Sequence, residues 1–244
     1  AKHIEYCQPS PGDKWQAALD ALAKLLAQKK WQNANIVVIL SNHFVRYLLI
    51  PWNAAINGGD EQAAYVKHRF SKVFGKVASN WVVQYSDATA GMPKLASGVD
   101  KGLLDGIRQV CQLNKLPLRS IQPYLMPAFN EHRHVFKKEP AWFVTVEPEK
   151  LTLALCQQQS WQHISSHVIN NERLAVELPL LLDRHLFLSG VEPQPVNVFV
   201  FAPNHPKLSL PRSTHRVNQQ IQLKTVFGLA SHEYSQSALA MGES

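Results

Sequence analysis

Residues 36–52 read IVVILSNHFVRYLLIPW, two apolar runs on either side of the polar step Ser41-Asn42-His43. Each run has the length of a buried strand, and Pro51, which lacks a backbone N–H, ends the second. Asn42 suits the left-handed conformation of a tight turn, and Ser41 can bond its neighbouring backbone. The stretch therefore predicts a β-hairpin that turns on Ser41-Asn42. Ser41 and His43 are also a nucleophile and a base by residue type. No GxSxG elbow surrounds them, and the segment identifies neither oxyanion donors nor an orienting acid, so the turn is the preferred reading. Arg46 stands among apolar and aromatic neighbours. It reads as an edge-strand charge or half of a buried pair, or as a planar donor to a partner's carboxylate or phosphate.

Helical and strand periods alternate around this stretch. Ser10-Pro11-Gly12-Asp13 has the form of a helix start, followed at helical spacing by Trp15, Leu19, Leu22 and Leu26. Asp60 is expected to cap a second helix with Ala63, Val66, Phe70, Val73 or Phe74, and Val77 in one stripe. Trp81 to Tyr85 and Pro93 to Val99 read as strands, and Asp100 as the cap of a helix that buries Leu103, Leu104, Ile107 and Cys111. Arg119 to Met126 reads as a strand, with a short helix opening at Pro127. From Ala141 the pattern becomes three short strand-forming runs separated by PEK and QQQS, a predicted antiparallel meander. Asn171 to Leu188 reads as a helix that Pro179 kinks or delays, and Val198 to Ala202 as a further strand. The order predicts an α/β (α+β) protein with mixed sheets in two lobes.

Composition narrows the function classes. The chain has 244 residues, 45% apolar and 18% charged, which is ordinary globular usage. No apolar run approaches the ~20 residues a bilayer needs, and the N-terminal AKHIEYC lacks a signal-peptide core. Cys7, Cys111 and Cys156 show no CxxC spacing, so reduced thiols of a cytoplasmic protein are expected. A net charge of +7 and a pI near 9.3 permit attraction to phosphate, acidic protein or anionic lipid. The basic residues are dispersed without interleaved aromatics, so no specific nucleic-acid interface is expected. His132 and His134 point apart on a helix, and His163 and His167 span roughly 13 Å on a strand. No metal site is expected. Neither GxxxxGK(S/T) nor GxGxxG occurs.

The strings VVILSNHFVRYLLIPW, AAYVKHRFSKVFG, WVVQYSD, PKLASGVD, DKGLLDGIRQV and IQPYLMPAFN occur in an order that resembles the actin-fold proteins of type IV pilus and type II secretion platforms: PilM, the cytoplasmic part of GspL, and MshI-like biogenesis proteins. The likeness covers roughly residues 36–170. It implies an actin-like, ribonuclease H-like architecture, with a first lobe over residues 1–138 that lacks its N-terminal part and a second over 139–244. Nucleotide-binding members of that fold place an acidic residue and a glycine at a phosphate-facing hairpin opening each lobe. Here the second lobe has Glu147-Pro148-Glu149-Lys150, with no glycine and one backbone donor missing. The first lobe shows no such hairpin. Either residues before Ala1 complete it, or that motif never existed.

The resemblance implies a scaffold that is not an enzyme. It would dock other pilus or secretion platform proteins at the cytoplasmic side of the inner membrane, with peripheral membrane association. Arg46, Tyr47 and Trp52 are the candidate docking residues. No catalytic residue, cofactor or metal ligand is assigned; ATP and magnesium enter only under the alternative, an actin-fold protein with an atypical phosphate site.

Overall fold

The two runs of residues 36–52 form strands that do not pair with each other. The structure, a computed structural model, describes residues 15–56, 58–136, 139–158, 160–189, 196–203, 205, 208–211 and 216–221. Strand β1 (Ile36–Leu40) lies parallel to β5 (Leu118–Pro123), with Val38 beside Ile121. Strand β2 (Val45–Ile50) runs antiparallel to β4 (Lys94–Asp100), with Val45 beside Val99. The expected hairpin is thus corrected, and backbone handedness gives the reason. Tight hairpins use turns with positive φ, whose twist matches that of the strands. Among the described residues positive φ outside glycine occurs at Asn33, Lys115, Glu149 and Gln158, so Asn42 does not have it. The Phe44 N–H donates to the Ser41 carbonyl at 3.0 Å, closing a turn that splays its strands into different sheets.

Strand β3 (Trp81–Tyr85) pairs with the other edge of β4, giving the order β2-β4-β3. Helix α2 (Gly59–Phe74) lays Val66 and Phe70 on this sheet. Its cap position is held by Gly58 instead of Asp60, which stands with Glu61 in the first turn, where negative charge favours a helix N-terminus. Of the alternatives Val73 and Phe74, the partly buried Phe74 packs in the stripe, while Val77, also expected there, stays exposed. Gly98 lies under this helix. A Cβ there would stand 2.7 Å from Phe70 Cε1 and 3.0 Å from Trp81 Cε3.

Helices α1 (Gln16–Leu26) and α3 (Lys101–Leu113) pack where a Cβ on Gly106 would overlap Leu19 Cδ1. Asp100 caps α3 as expected, accepting the Gly102 N–H at 2.8 Å. Cys111 and Cys156 are buried free thiols. The Ser10–Asp13 helix start and Cys7 lie outside the described residues.

Strands β6 (Ala141–Glu147), β7 (Lys150–Gln157) and β8 (Ser160–Val168) form the expected meander. Its turns carry Glu149 at φ 57 and Gln158 at φ 50, the handedness missing at Asn42. Helix α5 (Leu174–Ser189), which contains Pro179, follows a 3-10 turn at Asn171–Arg173. It leads to β9 (Val196–Phe201), parallel to β6, and then β10 (Arg216–Ile221), parallel to β9. The sheet order is β10-β9-β6-β7-β8. Among the described residues, strands before residue 138 and after residue 139 share no sheet.

Both faces of this five-stranded sheet are covered. Trp142, Val144, Leu153 and Leu155 pack with Leu178, Leu182 and Leu186 of α5. Phe143, Ala154, Cys156 and Trp161 join a core that also contains Leu95 and Val99 of β4, Leu104 of α3 and Leu125 and Met126 of α4 (Leu125–His132). No helix among the described residues is long and apolar enough to cross a membrane.

Candidate functional site

Because β1 and β2 diverge, the Ser41–Phe44 turn is driven into the mouth of the β6–β7 hairpin. Asn42 is completely buried there. Its backbone N–H donates to the Glu147 carboxylate, at 3.0 Å from Oε2 and 3.3 Å from Oε1. Its Nδ2 donates to Thr145 Oγ1 at 3.1 Å, and its Oδ1 accepts the Tyr47 hydroxyl at 2.7 Å. One residue therefore satisfies buried polar groups from both halves of the chain, as low-dielectric surroundings require. His43 adds a contact between its Nε2 and the Pro148 carbonyl at 2.8 Å, and Ser41 Oγ accepts the His43 N–H at 3.2 Å. Ser41 and His43 are thus turn and bridge residues. Neither side chain meets the other in the geometry of a nucleophile and its base.

The electrostatics follow from burial beside a carboxylate. Burial, with Glu147 nearby, pushes the Tyr47 hydroxyl well above the ordinary tyrosine range, against a smaller lowering contribution from a backbone bond to Leu125. The same two causes raise Tyr124. Lys150 is lowered by burial and by Arg46, with Glu147 partly opposing. Tyr47 accordingly acts as a neutral donor to Asn42.

The three expected docking residues separate. Tyr47 is buried with its hydroxyl on Asn42, so the alternation of β2 places it in the core and out of a partner's reach. Arg46 projects from the opposite face and folds back, its guanidinium donating to the His43 carbonyl at 2.9 Å and the Val45 carbonyl at 3.1 Å. Trp52, just after Pro51, remains exposed.

At the opposite end of β7 from the β6–β7 hairpin lies a cavity of about 570 Å³. It is bounded by the loop of residues 86–93, by α4 and by the β7–β8 turn, and Phe129, Phe136 and Trp161 line it. The Phe129 and Trp161 rings are 4.4 Å apart and the Phe129 and Phe136 rings 4.9 Å. Asn130 and Ser160 also line it, and their Nδ2 and Oγ are buried without a partner among the described residues. Sequence reading missed this cavity because its walls come from three segments far apart in the chain.

It also missed His185. His163 and His167 lie on β8 as expected, and α5 inserts His185 between them, with ring centroids 4.9 and 5.0 Å away. His185 Nε2 contacts His167 Nε2 at 3.1 Å. Burial lowers all three, His163 to about 4, with the neighbouring histidines and Arg184 adding to the effect. Among the described residues no group of three or more His, Cys, Asp and Glu is placed to hold a metal ion.

No family model and no curated protein matches the sequence. Solved structures do. The PilM–PilN type IV pilus biogenesis complex aligns with TM-score 0.55 at 12% identity, covering 76% of this chain and 68% of that one. This likeness is one of fold. The cytoplasmic domain of EpsL, an inner-membrane component of the type II secretion system of Vibrio cholerae, aligns with TM-score 0.52 at 11% identity, covering 84% of this chain and 76% of that one. The order of elements read from residues 36–170 therefore corresponds to a real likeness in three dimensions to pilus and secretion proteins.

The resemblance read from the sequence would set the β6–β7 turn where nucleotide-binding actin-fold proteins hold phosphate. The residues present do not fit that ligand. Pro148 has no N–H, no glycine lets the backbone approach closely, and the Glu147 carboxylate is turned onto the Asn42 N–H.

Proposed function

We propose that this chain is a non-catalytic actin-like scaffold of a type IV pilus or type II secretion assembly, acting by docking other platform proteins at the cytoplasmic side of the inner membrane. The observation that carries the reading is the Asn42–Glu147 bond. A hairpin that must admit phosphate and hydrated metal is here an internal bridge, with its acid engaged by a buried backbone donor. Opening it would strand that donor, at a cost of roughly 1–3 kcal/mol. The similarity to PilM, solved with PilN, and to the EpsL domain supports the platform context.

The aromatic cavity between α4 and the β7–β8 turn is the docking position within this proposal. Its volume suits a bulky apolar anchor, and its polar members can orient a peptide carbonyl. The test is binding of the cytoplasmic segments of inner-membrane platform proteins from the same genome. Saturable binding that Trp161→Ala weakens at least tenfold, with the fold intact by circular dichroism, supports the proposal. Binding of none of these segments, or binding indifferent to Trp161, contradicts it.

A further inference from the structure

Helix α5 is apolar on the wrong side as well as the right one. Leu174, Leu178, Leu182 and Leu186 meet the sheet. Val176, Leu180 and Phe187 are 59%, 65% and 85% exposed. At about 100° per residue these three fall on one narrow line opposite the buried leucines. A helix apolar all round belongs in an interior, and here the outer side faces away from the sheet.

The spacing says what kind of neighbour fits. Val176, Leu180, Asp183 and Phe187 follow a 4-3-4 pattern, the seam of a two-helix coiled coil. The one polar seam position, Asp183, is already paired with Arg216 of β10. Glu177 and Arg184 stand seven residues apart along one flank, with opposite charges. In a parallel pair of identical helices, Glu172 on the other flank would oppose Glu177. In an antiparallel pair, each Glu177, which within its own copy also pairs with Arg173 at 3.5 Å, comes beside the other copy's Arg184, twice over by symmetry.

We infer that α5 is a self-association surface that takes α5 of a second copy of this chain, antiparallel, about a two-fold axis between Leu181 and Leu182. Val176 then faces the second copy's Phe187, and Leu180 the second copy's Asp183. The twelve residues from Val176 to Phe187 give about 16 Å of contact, short of a standard stable interface. The dimer is therefore weak and concentration-dependent.

Sedimentation equilibrium of the full chain from about 1 µM to about 300 µM tests this. The native chain is expected to move from monomer to dimer across the range. Leu180→Arg, at an exposed position, weakens association at least tenfold without lowering the melting temperature. Arg184→Glu also weakens it, and Glu177→Lys combined with Arg184→Glu restores it. A native chain that stays monomeric throughout, or one whose dimer survives Leu180→Arg, overturns the inference. So does a monomer that instead co-sediments with anionic phospholipid vesicles through α5.

Discussion

The Asn42 N–H lies 3.0 Å from Glu147 Oε2 across a sequence separation of 105 residues, and this bond ties the turn after β1 to the hairpin of the five-stranded sheet. Both groups are buried. Bonds of this kind contribute modestly when intact, and their loss is expensive because the surviving partner cannot reach water.

Glu147→Ala is therefore expected to lower unfolding free energy by about 2–3 kcal/mol, and Glu147→Gln, which keeps one acceptor, by about half of that. Asn42→Ala strands Thr145 and the Tyr47 hydroxyl and should cost a similar amount. Asn42→Asp sets a second carboxylate beside Glu147, and its penalty should shrink as pH falls below the carboxylate range. Urea unfolding at several pH values measures all four. An Asn42→Asp penalty independent of pH would count against the geometry.

Gly98→Ala tests the packing of α2 on its sheet. The new Cβ meets buried Phe70 and the edge of Trp81, so the ring must leave its position or the helix must lift. A loss of about 1–3 kcal/mol is expected, read as a lower urea midpoint at unchanged slope. Gly91, at φ 85 in open space, should lose less to alanine, through backbone strain alone.

The histidines between β8 and α5 give the chain a pH-dependent stability. Their folded values are depressed below the ordinary 6.5, His163 to about 4. The unfolded chain therefore binds more protons between those limits. Stability should be complete above about pH 6.5 and fall as pH drops from there towards 4. Arg184 on α5 and Lys150 on β7 add positive charge to the cluster and oppose its protonation further. His163→Phe, which keeps a ring against Trp142, should flatten the fall. A variant with the wild-type pH slope would remove His163 from the account.

Cys156 shows burial in another way. Its thiol is pushed up to about 11, and Cys111 is also raised by burial. Both should resist alkylation at pH 8 in the native chain and react on unfolding, as mass spectrometry of labelled peptides would show.

Local signals in the sequence were legible wherever neighbours in the chain decide the outcome. Trp81–Tyr85, the Asp100 cap and the three strands from Ala141 follow from period, capping chemistry and turn residues within a few positions. The Ser41–Phe44 step was misread because its fate depends on Glu147 and Thr145, which no local pattern reveals. A buried asparagine bonded to a distant hairpin and an exposed asparagine in a turn have the same sequence signature. Tyr47 was misplaced for a related reason. Alternation along β2 separates it from Arg46, but the face carrying Tyr47 is inner because Leu125 and Met126 of α4 and strands of the five-stranded sheet join the core on that side. His185 joins the histidines of β8 only because α5 crosses that sheet. The order shared with the pilus and secretion structures was readable because it rests on the sequence of elements, which survives errors in how individual strands pair.

The most direct test of the account is a thermal shift titration of the full chain with ATP and magnesium up to about 5 mM. A ligand that binds the native state raises its stability by RT ln(1 + [L]/Kd). With Glu147 committed to Asn42 and Pro148 in the turn, no saturable shift is expected, for the native chain or for Glu147→Gln compared with its own unliganded baseline. A saturable, magnesium-dependent rise in the native chain that Glu147→Gln abolishes would show that the hairpin opens to phosphate, and would contradict the reading of this protein as a non-catalytic scaffold.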